Sequence, residues 1–281
     1  MTDPVLWIND PAAAELSGMT GWATLYDITD DWAAADRAAP ERARIVDGEQ
    51  QLLRSADQVV ACSAELVRRK SPARGADRAP IVLIPNGVDT AAYQHRHPRP
   101  PDLPARKVAL YAGTLHADRF DVPLCIATAR ELSTSATVVL LGPNSLGDAD
   151  TTALAESGVV LLGPKPYTEV PAFLQHADVL LVPHVVDEFT DSLDPIKLYE
   201  YQAAGRPVVS TPVAGFRDAD GVTVAEPQTF AHAVVAAMSS YGRDERHPAH
   251  AADWNDRARA FADVVWGLGG QPSPPARGRA E

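Results

Sequence analysis

The chain has 281 residues, enough for one large domain or two modest ones, and 46% of them are hydrophobic, enough to fill a core. With 37 acidic against 25 basic side chains the formal charge is -12, which opposes broad affinity for nucleic acid or anionic lipid. Cys62 and Cys125 lie far apart in apolar stretches without a Cys-x-x-Cys pair, as expected of free thiols in a reducing cytoplasm. The first ten residues lack a signal peptide's basic and apolar regions, and no stretch is long enough to cross a bilayer.

Short apolar runs alternate with longer stretches of helical periodicity, the mark of a parallel sheet covered by helices, so the fold class is α/β. Residues 1–90 carry predicted strands at Val5–Ile8, Ala23–Tyr26, Val59–Cys62 and Ile81–Ile84. Helices are expected from Pro40 to Ser55 and, capped by Ser63, to Lys70. Asp27, Asp30 and Asp31 put three acids in five positions after a strand. Asp27 and Asp30 are therefore candidates for an acceptor-side site, against the plainer reading of a solvated loop with a helix cap. The basic run Arg68, Arg69, Lys70, Arg74 and Arg78 reads as a solvated face, with peripheral membrane or phosphate contact as the minor alternative.

Residues 91–106 have three prolines between positions 98 and 101 and no apolar period, so they read as an interdomain linker. Residues 107–250 hold a second strand series at Val108–Tyr111, Thr137–Leu141, Val159–Leu162, Val179–Val182 and Val208–Ser210, with a short strand near Val222–Ala225. The helices expected between them are Val122–Leu132, Val170–His176, Asp194–Ala204 and Gln228–Met238, together one nearly complete doubly wound unit. Residues 251–266 are expected to form a packing helix with a stripe at Ala258, Phe261, Ala262 and Val265, and the Gly-, Pro- and Arg-rich residues 267–281 a disordered tail. Asp148/Asp150 and Asp218/Asp220 mimic a metal-binding Asp-x-Asp pair but fall in loop-like polar stretches, and no metal is expected. Neither a Gly-x-Ser-x-Gly elbow nor a P-loop motif is present.

The segment from Asp194 to Thr211 carries the most chemistry. It begins like a helix, with Asp194 as N-cap and Pro195 in the first turn, and stops at Gly205 before Pro207 and a buried strand. At about 100° per residue, Lys197 and Glu200 lie about 60° apart and share one face near the helix N-terminus. A lysine among the free N–H groups of a helix start suits a diphosphate, and a carboxylate one turn further in suits ribose hydroxyls. The plainer alternative is a surface ion pair at i, i+3.

This segment resembles the donor-site helix of GT-B glycosyltransferases, especially the retaining enzymes of glycosyltransferase family 4, with their Pro-x-Lys-x-x-Glu-Tyr and Ala-Gly-x-Pro-Val-Val patterns. Val59 to Leu66, Ile84 to Asp89, Tyr111 to Leu115 with Arg119 to Asp121, Leu140 to Pro143 and Asp178 to Pro183 look like the same family in the same order. Together they cover most of residues 57–212. The resemblance implies two Rossmann-like doubly wound domains that transfer a sugar from a nucleotide-diphosphate-sugar co-substrate, with retention and without a metal or other cofactor. The acceptor would be a glycan, a lipid-linked compound or a natural product. Arg119 and Lys197 would meet the charge of the donor phosphates as catalytic groups. Gly113 and Thr114 would form a tight turn at the interdomain cleft, and Lys165, Pro166 and Tyr167 would border the nucleobase. Gly142, Ser192, Asp194, Pro195, Ile196, Leu198 and Glu200 complete the implied donor-binding set.

Ser192 stands where the family's first glutamate is found, with Asp191 and Asp194 as nearby substitutes for hydroxyl binding. The N-terminal domain is expected to be incomplete, because only about 90 residues precede the linker and the run from Val5 to Pro11 resembles a middle strand. No histidine occurs in the first 94 residues, where many relatives have one near the reacting carbon. The readings that compete with transfer are a truncated, inactive homologue that binds a nucleotide or a partner, and a nucleotide-sugar epimerase on the same fold.

Overall fold

The computed structural model describes residues 4–35, 37–240 and 251–269. The chain divides into two compact units, residues 1–85 with 255–281, and residues 86–254.

The first unit runs β1 (Val5–Ile8), α1 (Leu16–Thr20), β2 (Ala23–Ile28), α2 (Ala39–Ser55), β3 (Gln58–Ala61), α3 (Ala64–Arg74) and β4 (Val82–Leu83). Its four strands are parallel, in the order β1-β2-β3-β4. Alternation along the strands splits their side chains between two faces. Ile8, Tyr26, Ile28, Val59 and Ala61 pack on Leu52 and Leu53 of α2 and Leu66 of α3, while Leu25, Val60 and Ile84 face the other way.

The predicted Ser63 cap is present, its hydroxyl accepting the Leu66 N–H at 3.0 Å. The helix then continues past Lys70 to Arg74, because its last side chains are anchored. The Arg74 guanidinium donates to the carbonyls of Leu53 at 3.0 Å and Ala56 at 2.8 Å, satisfying the C-terminal end of α2. Lys70 is buried and bonds Asp31 at 2.7 Å and Glu49 at 2.8 Å, with Arg69 on Asp31 and Glu65. The basic run is therefore only in part the solvated face its sequence suggests: Arg68 and Arg78 are exposed, while Lys70 and Arg74 are internal framework.

The second unit contains α4 (Ala91–Gln94), β5 (Lys107–Ala112), α5 (Val122–Glu131), β6 (Ala136–Leu141), α6 (Asp148–Glu156), β7 (Val160–Gly163), α7 (Val170–His176), β8 (Val179–Val182), α8 (Ile196–Ala204), β9 (Val208–Ser210), β10 (Val222–Val224) and α9 (Pro227–Ser240). Its six parallel strands run β10-β9-β8-β5-β6-β7, so the order reverses between β5 and β8. This is the doubly wound arrangement, and its ligand position is the carboxyl end of the sheet at that reversal. A separate apolar core fills each face of the sheet.

The chain then returns to the first unit as α10 (Trp254–Gly269), whose Phe261, Val264, Val265 and Leu268 cover Leu25, Val60 and Ile84. The covering stripe is shifted from the expected Ala258, Phe261, Ala262 and Val265. Residues 267–269 of the expected tail continue this helix, and 270–281 lie outside the described residues, as do 241–250.

Residues 91–106 do not behave as a linker. They belong to the second unit, where Tyr93 and Leu103 are buried and Gln175 of α7 binds the backbone of His97 at 2.9 Å and of His95 at 3.0 Å. Asp148 and Asp150 are likewise not in a loop but in the first turn of α6, where carboxylates favour the helix dipole. Among the described residues no helix is long and apolar enough to cross a membrane, and no three His, Cys, Asp or Glu side chains gather as a metal site.

Candidate functional site

Three strand ends meet at the reversal point of the second sheet. Gly113 follows β5 with φ +142° and Gly142 follows β6 with φ +138°, both conformations that side chains with a Cβ rarely adopt. The Gly113 N–H donates to Leu141 at 2.8 Å, and the Gly142 N–H to Gly163 at 3.0 Å. A Cβ on Gly142 would stand 2.3 Å from the Gly113 carbonyl oxygen, and one on Gly113 would stand 3.1 Å from Lys197 Nζ. The two glycines thus keep backbone and lysine together at this corner.

Lys197 lies in the first turn of α8, and its ammonium donates to the Tyr111 hydroxyl at 2.8 Å and to His184 Nε2 at 3.3 Å. It also sits 4.3 Å from the centre of the Tyr111 ring. Tyr111 ends its chain of donors on the Thr114 carbonyl at 3.2 Å. Accepting from the lysine requires the His184 tautomer with its proton on Nδ1. Burial and the nearby Lys197 and Arg119 charges hold His184 well below the usual imidazole range, so it is neutral. Burial pushes Lys197 down to about 7, with Glu200 opposing and Arg119 reinforcing the fall.

Arg119 is placed by an antiparallel bridge between Phe120 and His184, with the Val185 N–H donating to its carbonyl at 2.8 Å. Its guanidinium contacts Asp118 at 3.2 Å and stacks 4.9 Å from the centre of Phe189. Glu200 is buried, which raises its carboxyl, and the Tyr167 hydroxyl donates to it. Burial and that carboxylate push the Tyr167 phenol up to about 12, although its ring is 54% exposed.

Gly113, Thr114, Gly142, Arg119, Lys197, Glu200 and Tyr167 therefore gather at one corner of the sheet. Other predicted residues are engaged elsewhere. Asp194 is not the helix N-cap; α8 begins at Ile196 with Pro195 before it, and no side chain caps it. The Asp194 carboxylate instead accepts the Asn86 N–H at 2.6 Å and the Tyr199 hydroxyl at 2.7 Å. Pro195 lies against Gly215, Ile196 is 43% exposed, and Leu198 is buried in the core. Ser192 is fully buried and donates to the Phe189 carbonyl at 2.8 Å. Lys165 pairs with Asp102, and Pro166 is exposed beside it.

The acceptor-side candidates lie in the first unit. Asp27 is not solvated; it is buried at the end of β2, where the Trp7 indole donates to it at 3.1 Å and burial raises its carboxyl. Asp31 is in the Lys70 cluster, and Asp30 is half-exposed.

Tyr111 and His184 are functional candidates that sequence reasoning passed over. Tyr111 is the second-last residue of β5 and His184 follows β8 after Pro183, and position at the carboxyl end of β5 or β8 is the signal that marks them.

The two parallel-sheet units have the fold of GT-B glycosyltransferase structures. Residues 106–240 match the family model of glycosyl transferases group 1. Among curated proteins, the chain is 31% identical to a D-inositol 3-phosphate glycosyltransferase of Kineococcus radiotolerans, over 73% of this chain and 54% of that one. It is 26% identical to a putative teichuronic acid biosynthesis glycosyltransferase, TuaH, of Bacillus subtilis, over 73% of this chain and 55% of that one. The chain thus spans about half the length of the curated relatives it matches. Its fold is that of Anabaena HepE, solved in complex with UDP, at a TM-score of 0.67 and 16% identity, covering 94% of this chain and 79% of that one.

Proposed function

We propose that the second unit binds the diphosphate of a nucleotide-sugar donor at the corner made by Gly113, Gly142, Arg119 and Lys197, and that the protein transfers the sugar to an acceptor. The observation that carries this reading is the Lys197 ammonium, held against Tyr111 and neutral His184 at the reversal point of a doubly wound sheet, with the two glycines opening the backbone beside it. UDP in the HepE structure supports a uridine nucleotide as the first donor to test.

In this reading Lys197, Arg119 and the start of α8 face the diphosphate, whose charge grows as the sugar leaves. Fixed positive groups aimed at that charge lower the barrier. Glu200 accepts hydrogen bonds from the ribose, taking them in place of the Tyr167 hydroxyl, and the exposed Tyr167 ring lies beside the base. Retention of configuration follows the family resemblance, and the anomeric signal of the first product in NMR tests it.

A thermal-shift panel of UDP, GDP and ADP tests the binding step. UDP should raise the melting temperature of the wild type and lose most of that effect on Glu200→Ala. A panel in which no nucleotide stabilises the wild type overturns the reading. Release of UDP from a UDP-sugar only in the presence of acceptor separates transfer from nucleotide binding alone and from epimerisation.

A further inference from the structure

Asp194 carries a negative charge three residues before Lys197, beside the start of the helix that faces the donor. By local preference, an aspartate at this point turns onto the first N–H groups of the helix, and at i, i+3 it also pairs with a lysine. Either position puts an internal anion where a diphosphate would bind. Neither is adopted, for the start of α8 carries no side-chain cap.

The carboxylate is held elsewhere, by groups that are themselves fixed. One of its oxygens accepts the Asn86 N–H at 2.6 Å and the other the Tyr199 hydroxyl at 2.7 Å, while the Asn86 side-chain amide donates to the Asp194 carbonyl at 2.6 Å. The backbone just beyond Asn86 is pinned within the second unit, with the Val88 N–H donating to Ala252 at 2.9 Å and the Trp254 N–H to Val88 at 3.1 Å. The Tyr199 ring packs on the core. Pro195 fits against the bare Cα of Gly215, where a Cβ would stand 2.9 Å from the proline Cδ. Three separate segments thus fix the turn that leads into α8, and the carboxylate that acts on Lys197 is that of Glu200 instead.

We propose that Tyr199 and Asn86 are positioning residues for the donor: they hold the Asp194 carboxylate away from Lys197 and the first turn of α8, and so keep that corner open to a phosphate. The donor role rests on the reading of the second unit as a nucleotide-sugar site, whereas the latch itself shows in Lys197 without any nucleotide.

Tyr199→Phe keeps the ring and deletes the hydroxyl, which releases one oxygen of Asp194. The titratable and charged groups around Lys197 are Tyr111, His116, Arg119, His184 and Glu200, and the variant alters none of them. In the nucleotide-free full chain, NMR titration of the Lys197 side chain should show its value, about 7 in the wild type, moved upward by the nearer carboxylate. Calorimetry should show UDP bound about fivefold or more weakly at pH 7, with less proton uptake at pH 8. Adding Asp194→Ala removes the carboxylate and should return the Lys197 value to that of the wild type and the UDP affinity to within about twofold of it. Asn86→Ala, which deletes the bond to the Asp194 carbonyl, should move both readouts in the direction of Tyr199→Phe. An unmoved Lys197 value in both single variants, or a loss of UDP affinity that Asp194→Ala does not reverse, overturns the latch, because a merely structural hydroxyl would give the loss alone. A wild type that binds no UDP overturns the donor reading instead, and the Lys197 titration still decides the latch.

Discussion

Lys197 is an ammonium whose surroundings disfavour its charge, and that makes its proton a readout of ligand binding. Its folded value is about 7 against an ordinary 10.5, so between those values the unfolded chain holds the extra proton and stability rises with pH. A bound diphosphate restores the charge. Donor binding near pH 8 should therefore take up a proton, and UDP affinity should fall as pH rises above about 7. Titration in buffers of different ionisation enthalpy measures this directly; a heat independent of buffer would remove Lys197 from the diphosphate. Lys197→Met should abolish the proton uptake and weaken UDP by tenfold or more while leaving the melting temperature at pH 7 unchanged or higher. The corner glycines give a second contrast. Gly142→Ala meets backbone at 2.3 Å and should cost about 2 kcal/mol or more in chemical denaturation. Gly163→Ala, at φ +68° with nothing within 4 Å of the added carbon, should cost about half as much. Lys197 and Glu200 were legible in sequence because their pairing is local, two side chains three apart on one helix. Tyr111 and His184 join Lys197 across 86 and 13 positions, contacts that no spacing rule encodes. Asp194 was misread for the same reason: capping is a local rule, and its carboxylate is taken by Asn86, 108 residues away.

Helix α2 shows how tertiary contact overrules local preference at the scale of an element. Gly48 sits inside it, where alanine would ordinarily gain about 1 kcal/mol of helix propensity. A Cβ there would lie 2.1 Å from the Pro11 carbonyl oxygen, so the helix packs on the turn after β1 through its backbone. Gly48→Ala should therefore destabilise the protein, by about 1–3 kcal/mol in urea unfolding, and a gain in stability would refute the contact. The strands were read to within about two residues because alternation and buried apolar runs are strong signals. The supposed linker failed because proline density was taken for freedom. The segment gives up its flexibility to Gln175, whose side chain binds its backbone from α7, and to the burial of Tyr93 and Leu103. The length of α3 was also underestimated, since its extension depends on what Arg74 finds at the end of α2.

Over the whole molecule, the chain enters the second unit at residue 86 and leaves it at residue 254, so the second unit is one continuous segment inserted between the two parts of the first. Each unit nevertheless has its own core, and every group assigned to the donor lies in the second. This separation makes a test in which stability and binding part company. Lys70→Met removes the cation shared by buried Asp31 and Glu49 and leaves two carboxylates without it. Breaking such a cluster from one side costs about 3–5 kcal/mol. The loss belongs to the first unit and should appear in calorimetry as a lowered melting transition. UDP at about 100 times its dissociation constant should still add about 2.7 kcal/mol to the second unit, with its affinity within about twofold of wild type. A Lys70→Met protein that melts early and has also lost UDP binding would show that the donor corner depends on the first unit's core, which the separate packing of the two units argues against.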